Sequence, residues 1–161
     1  MNWIFFALAG SVAQLIDGTL GMGFGLTSST LLLTLGASAA VASAAVHAAE
    51  IGTTLVSGAS HWHAENIDKK ILVKLAIPGG IGALLGATFL ASIDLSSAKV
   101  FISTLLLLLG FLLLYRNIFQ TQQNTTSLET TNPRFLTYLG FTGGFVDASG
   151  GGGWGPIVTP T

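Results

Sequence analysis

Cysteine is absent, which removes disulfide frameworks and thiolate metal sites from consideration. Charge is scarce: Lys and Arg number 6, Asp and Glu number 7, and together they make up 8% of the chain. A soluble domain carries about 25% charged residues. With 50% apolar residues and a mean hydropathy of +0.72, this chain cannot cover an aqueous surface, and its solvent is a bilayer. The formal net charge of -1 offers no electrostatic footprint for nucleic acid. No glycine-rich run ends in Gly-Lys-Ser/Thr, so a phosphate-cradling loop is excluded. No nucleophile stands beside a base, so an enzyme is not expected, and nothing calls for a cofactor. Residues 1–13 are apolar but lack the basic start of a secretory signal and run directly into a glycine-rich segment.

Glycine, by contrast, is plentiful at 21 residues, and it is patterned. At an offset of 130, Gly10 falls on Gly140, Asp17 on Asp147, Gly21 on Gly151, Gly23 on Gly153, Phe24 on Trp154 and Gly25 on Gly155. The shared aspartate and aromatic in one register point to an internal duplication rather than to glycine abundance alone.

Apolar stretches at 37–60, 71–91 and 98–115 are each near the roughly 20 residues that a helix needs to cross about 30 Å of hydrocarbon. The first stretch, 3–35, is too long for one straight span. Its middle, Asp17-Gly18-Thr19-Leu20-Gly21-Met22-Gly23-Phe24-Gly25, opposes a helix by about 1 kcal/mol per glycine. The expectation is a broken element, with half-helices near 3–16 and 26–35 around a non-helical crossing. Irregular backbone at membrane depth is tolerated only where protein or a water-filled cavity surrounds it, so this break faces inward. Residues 37–60 are rich in Ala, Ser and Gly, and Gly82 and Gly86 form a small-xxx-small pair that lets helices approach closely. Residues 117–134 read as a polar linker, and 135–161 as the start of a second repeat, about one and a quarter repeats in all. The fold class predicted is an all-α membrane protein, a polytopic helical bundle with a duplicated unit containing a Gly-rich broken helix. Lys69, Lys70, Lys74, Arg116 and Arg134 fall on one side and only Lys99 on the other, which places the linker in the cytosol. The charges do not decide whether the repeats are parallel or inverted, and a homo-oligomer stays open.

Asp17 and Asp147 stand at the entrance to the two breaks. Each either caps the amides of its own turn or takes part in ion or proton handling. The second half-helices, starting near Leu26 and Pro156, present unpaired amides and a positive dipole end, to which Thr27 and Ser28 could add hydroxyl donors. A small anion is the expected guest, held by Asp17, Gly21, Gly23, Gly25, Thr27, Asp147, Gly151, Gly153 and Gly155. His47 and Glu50 share a helix face three residues apart and could pair, relay protons or line the path. Two such ligands are too few for zinc, so no metal is expected. His61, Trp62 and His63 read as an interfacial anchor.

The string from Gly143 to Pro156, Gly-Gly-Phe-Val-Asp-Ala-Ser-Gly-Gly-Gly-Gly-Trp-Gly-Pro, followed by Ile157-Val158-Thr159-Pro160-Thr161, resembles the second-repeat signature of the sulfite exporter TauE/SafE family of membrane transporters. Gly18 to Gly25 resembles the first-repeat element less closely, with Met22 and Phe24 between the glycines and Leu26 where the other copy has Pro156. Asn66-Ile67-Asp68 and Gly82 to Gly86 also fit the family's pattern. The resemblance implies a multi-pass bacterial inner-membrane transporter or exporter of small anions such as sulfite, organosulfonates or related organic acids. Members are typically longer, so a truncated product is expected. The competing expectation is a non-transporting membrane scaffold or assembly partner, whose small-residue faces serve only packing.

Overall fold

The computed structural model describes residues 3–20, 23–65, 67–119 and 132–158. Every regular element among them is helical: α1 (Trp3–Leu20), α2 (Phe24–Thr34), α3 (Ala39–His63), α4 (Lys69–Ser92), α5 (Leu95–Phe119), α6 (Pro133–Gly150) and α7 (Trp154–Val158). Three of them are long and apolar enough to cross a membrane: Ala39–His63, Lys69–Ser92 and Leu95–Arg116, of 25, 24 and 22 residues. The chain is an all-α, polytopic membrane protein.

The interruption expected within 3–35 is present but shorter. α1 continues four residues past the expected end, to Leu20, and α2 begins at Phe24 rather than near 26. The reason is a local cap. The Asp17 carboxylate accepts from the Phe24 amide at 3.0 Å, so a side chain already on α1 supplies an acceptor for the start of α2. Gly23, at φ 126, makes the turn between them with a backbone that a side chain would strain. Gly21 and Met22 lie outside the described residues, as do Asn66, 159–161 and the central part of the expected linker, 120–131. At the linker's flanks α5 runs on to Phe119 and α6 starts at Pro133, behind an Asn132 cap on the Arg134 amide at 3.0 Å.

The other helix starts follow the same local chemistry. Ser38 caps α3 through the Val41 amide, and Asp68 caps α4 through the Lys70 and Ile71 amides at 2.7 and 3.2 Å. Asp94 accepts from the Ser96 and Ser97 amides at 3.0 Å each and from the Ser96 hydroxyl. The Ser96 and Ser97 bonds hold the exposed Asp94 carboxyl well below the usual carboxylate range.

Packing is led by small residues. α4 and α6 form the most extensive helix pair, and they meet almost backbone to backbone. A methyl group placed on Gly82 would run into the Phe141 carbonyl, one on Gly86 into the Phe145 carbonyl, one on Gly140 into the Leu75 carbonyl and one on Gly144 into the Gly79 carbonyl. Lipid supplies no hydrophobic drive for helix association, so close approach of this kind, with its dispersion and Cα–H···O contacts, is what holds the pair. Two small apolar clusters complete the interior, one of Ala39, Leu90, Ala98, Ile102 and Leu106, the other of Ala9, Leu32, Ala42 and Val46. On the outside, Leu107, Leu108, Phe111 and Leu114 of α5 are exposed in a way that suits lipid.

Candidate functional site

α6 and α7 form a second interruption. Gly151 ends α6 in the left-handed conformation at φ 75, and after Gly152 and Gly153 the chain resumes as α7. Pro156, expected at the first helical position, is the third residue of α7. It still lies in the first turn, where a missing amide hydrogen does no harm. The Asp147 carboxylate closes this break as Asp17 closes the first: its Oδ1 accepts from the Gly153 amide at 2.7 Å and from the Trp154 amide at 2.9 Å. Asp17 to Phe24 and Asp147 to Trp154 are both seven residues apart, so the two caps span the same interval.

The two breaks meet. A methyl group on Gly25 would lie 2.5 Å from the Gly152 Cα and 3.1 Å from both the Gly151 carbonyl oxygen and a Glu50 carboxylate oxygen. Only glycine at both places permits this approach. Side chains then fasten the second break to the first half of the chain. The Ser29 hydroxyl donates to the Gly151 carbonyl, and the Ser43 hydroxyl donates to the Ala148 carbonyl at 3.2 Å. Both serines are buried, and such bonds spare a buried carbonyl the desolvation cost of going unpaired.

α3 carries the remaining polar groups. His47 Nδ1 lies 2.7 Å from the Ser43 carbonyl oxygen, a contact that requires the hydrogen to be on Nδ1. In the neutral ring Nε2 is then a lone pair. It is buried without a hydrogen-bond partner and lies 3.4 Å from Asp147 Oδ2. Glu50 is one turn further along the same face, and one donor atom from each of His47, Glu50 and Asp147 falls within 4.8 Å of the others.

Beside this cluster is a cavity of about 440 Å³. Of the residues expected to hold a substrate, Asp17, Gly23, Gly25, Asp147 and Gly155 line it, and so does Glu50. Gly151 and Gly153 are buried behind the wall, against Ser29 and Val146, and His47 reaches the site through Asp147. Thr27 sits elsewhere, in a separate apolar groove between α2 and α5, and the Ser28 hydroxyl is engaged by the Phe24 carbonyl at 2.6 Å. Gly21 lies outside the described residues. Sequence reasoning passed over Gln14, Thr53 and Thr54, which line the cavity, and Ser29 and Ser43, which fix its back wall; Trp154, singled out only as the aromatic in register with Phe24, lines the cavity as well. The polar positions of α3 one turn beyond Glu50 were the only available signal for Thr53 and Thr54.

His61 and Trp62 are on the exposed end of α3, with the Lys69 ammonium 5.0 Å from the Trp62 ring centre, an arrangement suited to an interface anchor. Arg116 donates to the Pro156 carbonyl at 3.1 Å and so ties the end of α5 to α7.

Residues 6–161 match the family model described as sulfite exporter TauE/SafE. The chain is also 49% identical over 158 residues to a Bacillus subtilis (strain 168) protein named "Probable membrane transporter protein YtnM", an alignment that takes in 98% of this chain and 53% of the relative. It thus spans about half the length of the curated relative it matches. No solved structure matches. The chain belongs to the TauE/SafE family.

Proposed function

We propose that this chain forms the substrate-bearing part of a secondary transporter that moves small anions, such as sulfite, organosulfonates or related organic acids, across a bacterial inner membrane. The observation that carries the reading is the meeting of two capped helix breaks at one cavity, where Gly25 approaches Gly152 and Asp17 and Asp147 line the wall. Discontinuous helices that converge inside a membrane bundle are the usual architecture of a transporter site. The caps refine the mechanism. Asp17 and Asp147 already accept from the amides of Phe24, Gly153 and Trp154, so those donors are not offered to an anion. The anion is left the first-turn amides of Gly25, Leu26 and Gly155, all at the cavity. Family membership and the relative's printed name support transport, and the basic residues of one face support a cytoplasmic 117–134 segment. Duplication of the unit 1–116 in the segment beginning at 135 is part of the same proposal, supported by the matched cap spacing.

The test is uptake of labelled sulfite, organosulfonates and small carboxylates into proteoliposomes containing the full chain, run in parallel with the Bacillus subtilis relative. Saturable, gradient-driven uptake of one of these anions is the expected result. Its absence from both proteins under proton and sodium gradients of either polarity would overturn the proposal. Normal uptake after Gly25→Ala would remove the cavity from the proposal, whereas loss of membrane abundance in that variant would favour the packing role of the scaffold reading.

A further inference from the structure

A cavity meant for an anion has three carboxylates on its wall, Asp17, Glu50 and Asp147. Asp17 is accounted for by the α2 amide it accepts from. The other two are drawn together with His47 at the contact between α3 and α6. We propose that His47 Nε2, Asp147 Oδ2 and a Glu50 carboxylate oxygen form a binding site for one divalent transition-metal ion.

Four observations converge. Each of two ligands is held in place by a bond made through its other atom: His47 gives its Nδ1 hydrogen to the Ser43 carbonyl, and Asp147 receives the Gly153 and Trp154 amides on Oδ1. Histidine ligands in metal sites are oriented in this manner, with the second nitrogen donating to a carbonyl or carboxylate. In the neutral ring the Nε2 lone pair is buried and has no hydrogen-bond partner, with only the Asp147 carboxylate beside it, a state that calls for a cause. Its 3.4 Å separation from Asp147 Oδ2 is long for an N–H···O bond, which centres near 2.9 Å. Two ligands at about 2.1 Å from a common ion, at a tetrahedral angle, stand about 3.4 Å apart. Glu50, on the same face of α3 as His47, offers a third donor atom within 4.8 Å of both.

The donor set selects the ion. One imidazole nitrogen with two carboxylate oxygens suits zinc, cobalt, nickel or manganese, whereas magnesium and calcium take oxygen ligands alone. Three protein ligands leave at least one position open, and Glu50 and Asp147 are both at the cavity wall, so water reaches that position. A +2 ion would cancel the two carboxylates and raise the potential of the cavity for a negative guest. That last effect rests on the transport reading; binding of the ion does not.

The experiment is a Co²⁺ titration of the purified, chelator-treated full chain in detergent, read by visible absorption and calorimetry, with Zn²⁺ as competitor. One Co²⁺ per chain is expected, displaced by Zn²⁺, and H47Q and E50Q should each weaken binding at least about tenfold. The H61Q/H63Q double variant, which removes the exposed histidines at the end of α3, should bind as the parent does. Circular dichroism and elution volume show whether each variant is folded, and E50Q alone decides the matter if H47Q is not. Failure to bind Co²⁺ at one equivalent would overturn the site. Loss of binding in H61Q/H63Q with retention in E50Q would equally overturn it. Neither outcome bears on anion uptake, which is measured separately.

Discussion

The two helix breaks share a capping scheme and differ in what surrounds it. In the first, Asp17 holds one amide, and around α1 there is space: a methyl group on Gly10 or Gly18 would meet nothing within 4 Å. In the second, Asp147 holds two amides, Ser29 and Ser43 hold two carbonyls, and α6 is pressed against α4 at Gly140 and Gly144. Gly10 and Gly140, which share a register at an offset of 130, therefore differ in whether a side chain is tolerated or refused. The lesson is that a repeated sequence signature specifies how a helix is interrupted, while its neighbours specify how rigidly the interruption is held.

The sharpest way to break this comparison is a matched pair of alanines. G140A should lower stability by about 1–3 kcal/mol or more, because the new methyl group lies 2.6 Å from the Leu75 carbonyl oxygen, whereas G10A should be neutral or stabilising by up to about 1 kcal/mol through helix propensity. Thermal unfolding in detergent checks both, and equal losses would abolish the distinction. Next in size are the caps. D147A leaves two amides and the His47 contact without an acceptor and should cost about 2–4 kcal/mol, against about 1–2 kcal/mol for D17A. A reversed order would mean that the first break is the better secured.

A third substitution separates fastening from capping. S29A should cost about 1–2 kcal/mol by orphaning the Gly151 carbonyl, with amide exchange accelerating at 151–154 and not at 23–27. The smallest effect is expected outside the bilayer, where Asp94 makes the same kind of cap with water at hand. Its carboxyl is held below the ordinary value, so the cap's contribution is complete above about pH 4 and is lost only as pH falls through the lowered value. Protection of the first-turn amides of α5 should accordingly be lowered by D94N at neutral pH and, in the parent, hold down to about pH 4 and fall only in stronger acid; a loss of protection near pH 5 would contradict the assigned bonds.

What could be read from the chain follows from the range over which each interaction acts. Hydropathy places three spans because insertion depends on local composition, and the breaks are readable because glycine density and an aspartate seven residues ahead of the next helix are local as well. Gly82 and Gly86 announced a close helix contact but not its partner, since Phe141 and Phe145 present backbone carbonyls, which no residue type advertises. His47 and Asp147 were each singled out, yet their meeting depends on how α6 descends past α3, a hundred residues later in the chain. Ser29 and Ser43 were unreadable as site residues for a similar reason: a serine in a small-residue helix looks the same whether it bonds its own turn or a distant carbonyl.

The glycine contacts between α4 and α6 also govern what can move. Most helix pairs are separated by a layer of side chains that can change rotamer and so act as a lubricant; here main chain rests on main chain at four successive places. Sliding or rolling would have to lift whole peptide groups over one another. Any rearrangement that alternates the cavity between the two sides of the membrane must carry these two helices as a single beam, and the give must come from the joints at its ends.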